Sequence, residues 1–120
     1  MTATHTTDRA VVAKRVDSGE ADTTEIHDLA RAAGYEIVTK VTQTRTEDPA
    51  YHLGEGKVTR LANAVALEEA TTVIFDNQLG PYQTYNIGNE LPTGVTVMDR
   101  FRLILEIFGQ RARNRKAQLQ

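Results

Sequence analysis

The sequence contains no cysteine, so neither a disulfide framework nor thiolate chemistry is available to it. This fits a reducing compartment, and we expect a cytoplasmic protein. No stretch approaches the roughly 18 consecutive apolar residues of a membrane-spanning helix. The first ten residues, MTATHTTDRA, also lack the apolar run of a secretory signal. The motifs G-x-S-x-G, H-E-x-x-H and C-x-x-C are missing, which removes three common catalytic signatures.

Histidine is also scarce. The three histidines, His5, His27 and His52, do not have the spacing of metal ligands. His5 falls in a polar N-terminal stretch, His27 in an amphipathic segment and His52 in a loop. We expect all three to be solvated and predict no metal site.

Charge is distributed unevenly along the chain. A length of 120 residues corresponds to one domain. Residues 1–97 contain eight Lys/Arg and fourteen Asp/Glu, a net charge of −6, whereas residues 98–120 contain six and two, a net charge of +4. An acidic body repels nucleic acid, so any contact with it has to be local.

The candidates for such a contact are the basic residues near the C-terminus: Arg111, Arg113, Arg115 and Lys116. They can bind phosphates, since such contacts dominate nucleic-acid affinity. Alternatively, they form a solvated helix end whose positive charge complements the helix dipole. The residues alone leave both interpretations open.

Strand-like and helix-like segments alternate. Four β-branched or apolar runs predict strands over residues 10–16, 35–44, 72–75 and 95–98. Helices are predicted after Asp22, with Glu25 completing a capping box, after the turn Gly54–Lys57, over Pro81–Glu90 and after Asp99. Such alternation predicts an α/β fold, a four-stranded, mostly parallel sheet with helices on both faces. We expect residues 1–9 to be a disordered lead before an α/β domain over residues 10–110.

The helix predicted after Asp99 changes character along its length. Asp99 suits its N-cap, and one apolar face follows, formed by Leu103, Ile104, Ile107 and Phe108. The segment then becomes basic, and no glycine or proline terminates it. We therefore expect a helix that starts in the core and projects from it over residues 111–120.

Two groups of residues at the predicted carboxyl ends of the strands can carry chemistry. Gly54, Gly56 and Lys57 could cradle an anion, but neither a Walker A loop nor a GxGxxG motif is present. Asp76 and Asp99 could hold Mg²⁺ or act as an acid–base pair. We favour a structural role for both groups: a turn for the glycines, a cap of the turn at residues 77–80 for Asp76 and a helix cap for Asp99. Another pair, Tyr82 and Tyr85, could stack on bases, but we favour packing.

Three blocks of sequence carry a family resemblance. They are PAYHLGEGKV at Pro49–Val58, VIFDNQLGPYQ at Val73–Gln83, and VMDR, LILEIF and RAR within Val97–Arg113. In order and spacing the chain resembles the N-terminal domain of HflX-type GTPases over residues 34–120. Gly80 departs from the usual Ser or Thr, and Asn114 and Lys116 make the last helix more basic than is common.

The resemblance implies a regulatory domain without catalysis of its own. HflX-like proteins bind GTP with Mg²⁺ in a P-loop domain that this chain lacks, so no cofactor is expected here. They act on the large ribosomal subunit, which implies rRNA and the GTPase domain as partners. Gly54, Gly56, Lys57, Asp76, Asp99 and Arg100 would form the family-specific face of the domain.

The same resemblance implies that residues 111–120 begin a truncated helical hairpin, with the basic residues at its root as rRNA contacts. An exposed terminal helix also leaves dimerisation open. The alternative function is a small nucleotide-binding domain that uses the Gly54–Lys57 turn.

Overall fold

The structure, a computed structural model, describes residues 8–119 as alternating strands and helices. The strands are β1 (Asp8–Val16), β2 (Tyr35–Thr44), β3 (Thr72–Phe75) and β4 (Thr96–Asp99); the helices are α1 (Thr24–Ala32), α2 (Glu55–Leu67), α3 (Pro81–Glu90) and α4 (Arg100–Leu119). All strand pairs are parallel, in the order β2-β1-β3-β4. The predicted fold class is confirmed.

The first strand begins earlier than the predicted Ala10. Asp8 pairs with Tyr35, and the backbone oxygen of Arg9 accepts a hydrogen bond of 2.9 Å from the backbone of Thr71. The sequence did not predict this earlier start, because Asp8 and Arg9 are charged and their pairing partners are distant along the chain. The rest of the predicted disordered lead, residues 1–7, lies outside the described part of the chain.

The sheet has a separate core on each face. Side chains of β1 alternate between the two, since successive side chains of a strand point to opposite faces. One core packs under α2 and α3 and includes Val11, Ala13, Val73, Phe75, Val58, Leu61, Val65 and Ile87. The other packs under α1 and α4 and includes Ala10, Val12, Ile74, Met98, Ile26, Ala30, Leu103 and Ile107. The predicted placement of helices on both faces is therefore confirmed.

Helix α4 leaves the body after two buried turns. Leu103 and Ile107 are buried, but Phe108 is 58% exposed, so its predicted place on the buried face is wrong. Phe108 instead continues an exposed apolar stripe with Phe101 and Leu105. All residues from 111 to 118 are exposed. The described part of the chain measures 50 × 28 × 25 Å, and a helix of this length spans about 30 Å. Within residues 8–119, no helix has both the length and the apolar character needed to cross a bilayer.

We predict that Gly88→Ala stabilises the protein. Gly88 lies inside α3, and an added Cβ there meets no atom within 4 Å. Alanine should raise the free energy of unfolding by about 0.5–1 kcal/mol, because glycine loses more backbone entropy in a helix. Urea denaturation followed by circular dichroism measures the change. The control is Gly34→Ala, which should destabilise, because Gly34 follows α1 with a φ of +97° that side chains disfavour. A loss of stability in Gly88→Ala would contradict the prediction.

Candidate functional site

The carboxyl ends of the strands form one edge of the sheet, where the three sequence blocks meet. Asp76 directly follows β3, and its side chain is only 6% exposed. One oxygen lies 2.8 Å from Lys14 Nζ, and the other accepts a hydrogen bond of 3.1 Å from Arg100 Nη1. Arg100 also pairs with Glu25 of α1. A chain of four charges therefore joins β3, β1, α4 and α1.

Two residues in this chain of charges, Glu25 and Asp76, do not have the capping roles predicted from the sequence. Glu25 binds Arg100 and does not complete a capping box; Asp22 alone accepts a hydrogen bond of 2.9 Å from the backbone of Thr24. Asp76 binds cations, so its predicted role as cap of the following turn is wrong. Both errors arise because the cationic partners lie far away in the sequence.

Asp99 has the predicted capping role and a second one. Its Oδ1 accepts a hydrogen bond of 3.1 Å from the backbone of Arg102, in the first turn of α4. Its Oδ2 accepts one of 3.3 Å from the backbone of Leu79, in the loop after β3. Both oxygens therefore have donors. Among the described residues, no group of three or more His, Asp or Glu side chains is arranged to hold a metal ion.

Arg15 is the centre of a second polar network. The side chain is 9% exposed, and its Nη1 donates hydrogen bonds of 2.7 Å to the backbone oxygen of Arg45 and 2.8 Å to Asp17. Its Nε donates to Nε2 of His52 at 3.3 Å. The side chain of Asn77 binds both the backbone N–H and the backbone oxygen of Arg15 at 2.9 Å, which extends the sheet beyond β3.

His52 is buried, contrary to the expectation of a solvated ring. It is 3% exposed and lies edge-on to Phe75, with 6.3 Å between ring centroids. Two backbone hydrogen bonds with Asp48 and a φ of +67° turn the ring inward. Its Nδ1 has no hydrogen-bond partner within the described chain, although Glu47 Oε2 lies 3.5 Å away. Burial and the charge of Arg15 lower the pKa of His52.

Gln83 connects the second block to the residues just before the first. The side chain is buried; its Nε2 donates to Glu47 at 2.7 Å and to the backbone oxygen of Asp48 at 3.1 Å, while its Oε1 accepts from the backbone of Gly80 at 3.1 Å. Asn86 adds a hydrogen bond of 3.1 Å to the backbone oxygen of Ala50. The sequence did not identify these amides as connectors, although both stand within or beside the quoted blocks.

The predicted Gly54–Lys57 turn is confined to Gly54. Helix α2 begins at Glu55, so Gly56 and Lys57 belong to its first turn. The backbone N–H of Gly54 donates to Gln43 Oε1 at 2.8 Å. A Cβ at Gly54 would lie 2.9 Å from Arg45 Nη1 and 3.2 Å from Gln43 Nε2, so this glycine permits a close approach of two segments.

The remaining candidates lie on the surface. Tyr82 and Tyr85 are 67% and 68% exposed, so the favoured packing role is wrong. Arg111, Arg113, Arg115 and Lys116 are exposed and lie beyond the packed part of α4. Of the predicted site residues, the sheet edge thus unites Asp76, Asp99 and Arg100, but it does not include the cations at the far end of α4.

We predict that Asp76→Asn lowers the free energy of unfolding by about 1–3 kcal/mol, because Lys14 and Arg100 lose a buried shared anion. Urea denaturation measures the loss. Asp17→Asn is the matched control, since Asp17 also pairs with an arginine but is 83% exposed. The control should change stability by less than about 1 kcal/mol. Equal effects of the two variants would contradict a special role for Asp76.

A pH dependence follows from His52. Because its pKa is lower in the folded than in the unfolded protein, the unfolded state binds the proton first as pH falls below about 6.5. Folding stability is therefore complete above that pH and decreases as pH falls toward the folded-state pKa. His52→Asn tolerates the positive φ and should flatten this dependence between pH 7 and about 5.5. Thermal melts across that range test it, with His27→Asn as the control; an unchanged slope in His52→Asn would disprove the assignment.

Comparison with known proteins assigns the chain to a family. The family model described as GTP-binding GTPase N-terminal matches residues 20–109, three quarters of the chain. GTPase HflX of Thermofilum pendens is 42% identical over 116 residues, covering 93% of this chain and 27% of the relative. GTPase HflX of Thermococcus kodakarensis is 44% identical over 96 residues, 80% of this chain and 21% of the relative. GTPase HflX of Escherichia coli is 39% identical over 105 residues, 87% and 24% respectively.

Solved structures agree. The crystal structure of SsGBP with GDP has a TM-score of 0.69 and 25% identity, covering 86% of this chain and 29% of that one. A GTP-binding protein from Sulfolobus solfataricus in complex with GDP has a TM-score of 0.61 and 27% identity, covering 82% and 30%. The chain thus spans about a quarter of the length of these HflX relatives. It belongs to the family of HflX-type GTP-binding proteins, whose N-terminal domain it matches.

Proposed function

We propose that this chain is the ribosome-binding and regulatory N-terminal domain of an HflX-like GTP-binding protein. It binds rRNA of the large subunit in the cytoplasm and has no catalysis of its own. The observation that carries this proposal is the exposed cationic end of α4. The sheet edge that holds the family blocks serves as its scaffold, because its charged groups are committed to one another.

The geometry of α4 suits a polyanion. Residues 109–117 contain no acidic side chain. At about 100° per residue, Arg111 and Arg115 lie on one side of the helix, and Arg113 and Lys116 on the other. The helix end therefore presents two pairs of cations that can meet phosphates on both of its sides. The rest of the body is acidic and should repel RNA, which confines the contact to α4 and other local basic surfaces.

The apolar stripe of α4 supports a second contact, with the rest of a longer protein. Phe101, Leu105 and Phe108 are 62%, 69% and 58% exposed and follow one another at i, i+4 and i+7. Large apolar side chains in such a row usually have a partner surface. We assign this stripe to packing against the GTPase-containing part of longer relatives, where GTP and Mg²⁺ would bind. Regulation of the GTPase would act through this interface; pairing of two copies through α4 is the competing use of the stripe.

We predict that changing Arg111, Arg113, Arg115 and Lys116 together to Ala weakens binding to the large ribosomal subunit. Alanine retains the helix, so circular dichroism should be unchanged. In a plot of the logarithm of the binding constant against the logarithm of the salt concentration, the slope should become shallower. The change should be up to about 0.7–0.9 for each phosphate that is no longer neutralised. Co-sedimentation at several salt concentrations measures both quantities.

The matched control changes the three arginines to Lys. It keeps the charge and should retain most of the affinity, since lysine also binds phosphate as a point charge. If the alanine variant had unchanged affinity and salt dependence, the cationic end of α4 would not be part of the ribosome-binding surface. Light scattering of the same samples distinguishes a dimer, whose mass would double in a concentration-dependent way.

A further inference from the structure

A groove opens between the loop before α2 and the start of α3. Its volume is about 620 Å³. Glu47 and Pro49 line one side, and residues 78–83, which lead into α3, line the other. Gln83 joins the two sides, since its Nε2 donates hydrogen bonds of 2.7 Å to Glu47 and 3.1 Å to the backbone oxygen of Asp48. These hydrogen bonds hold the groove in a fixed shape.

Glu47 supplies the charge of this groove, because the other described residues that line it are uncharged. Its Oε2 accepts the hydrogen bond from Gln83 and lies 3.5 Å from His52 Nδ1. Its Oε1 has no hydrogen bond or ion pair within residues 8–118, although the side chain is 50% exposed. The hydrogen bond from Gln83 lowers the pKa of Glu47, and burial lowers the pKa of His52, so the ring is uncharged at neutral pH. A negative charge with one unbound oxygen therefore lines the groove.

The rest of the lining suits the apolar part of a side chain. Tyr82 is 67% exposed. Further apolar surface comes from Pro49, Leu79 and Pro81. Residues 61–99 contain no lysine or arginine, so the segment around α3 has no cation of its own. A carboxylate and a tyrosine ring in one groove are complementary to arginine, whose guanidinium stacks on the ring and donates to the carboxylate while its methylene groups contact apolar surface.

An anion is the competing occupant, because the groove lies at the positive N-terminal end of α3. Two features oppose it. Pro81, the first residue of the helix, has no N–H, and the backbone N–H of Gly80 already donates a hydrogen bond of 3.1 Å to Gln83 Oε1, which leaves few donors for an anion. The carboxylate of Glu47 would also repel a second negative charge.

We propose that the groove lined by Glu47 and Tyr82 binds an arginine side chain from a basic segment of a partner protein. Tyrosine and arginine are both enriched at the centres of protein interfaces, so a contact between them suits a docking point. The site is independent of the proposed ribosome contact, because it accepts positive charge whereas the end of α4 offers it. A second copy of this chain, with the arginines of its own α4, is the competing partner.

The test titrates the full chain with a short fluorescent peptide in which arginine alternates with glycine, and follows anisotropy at low salt. Glu47→Gln and Tyr82→Ala should each weaken binding about tenfold, the effect of losing one interface anchor. The matched controls are Glu90→Gln and Tyr85→Ala, because both residues are exposed on α3 and lie outside the groove. The controls should leave the affinity unchanged. Tyr82→Ala alters only an exposed side chain, so it tests the site even if Glu47→Gln loses stability.

Amide NMR shifts on adding the peptide should centre on residues 78–83. Equal losses in the target and control variants, equal binding of a peptide of alternating glutamate and glycine, or no binding would overturn the proposal. Light scattering tests the competing partner: a mass that doubles with concentration and stays monomeric in Tyr82→Ala would place a second copy in the groove and overturn a separate partner. The variant with the four α4 cations changed to Ala should bind the peptide normally, so this proposal and the proposed function can fail independently.

Discussion

The structure depends on the buried carboxylate of Asp76. A carboxylate that is 6% exposed requires compensation, and it receives two cations from different elements. Lys14 belongs to the strand beside it, and Arg100 to the start of the helix that crosses the sheet. Because Arg100 also binds Glu25, one anion orients both helices on that face of the sheet.

The opposite face of the sheet also has a polar network that joins several elements, but its members are different. There Arg15 donates a hydrogen bond to His52 and Gln83 donates one to Glu47, and Glu47 lies 3.5 Å from His52, which links β1, the loop before α2 and the start of α3. Polar networks of this kind specify geometry because an unpaired member is costly in a low-dielectric interior. Five polar residues of the family blocks, His52, Asp76, Asn77, Gln83 and Arg100, are used in these two networks. These residues form a scaffold, and the third block also supplies exposed residues, Leu105, Phe108, Arg111 and Arg113, to the surfaces proposed for partners.

Those surfaces differ in charge. The end of α4 is exposed and basic, and residues 109–117 contain no acidic side chain. A polyanion should therefore approach this end of the helix. The apolar stripe beginning at Phe101 is uncharged and suits a protein surface. The proposed nucleic-acid contact and the proposed protein contact thus use parts of α4 that differ in charge.

The order and type of the elements, the parallel sheet and the capping role of Asp99 could all be predicted from the amino-acid sequence, because periodicity and caps are local properties of the chain. Strand β3 is a clear case, since three apolar residues in succession, Val73–Phe75, indicate a strand that is covered on both faces. The surroundings of His52, Glu25 and Asp76, and the exposure of Tyr82 and Phe108, emerged only in the folded chain. Each depends on a partner, or the lack of one, from a segment tens of residues away.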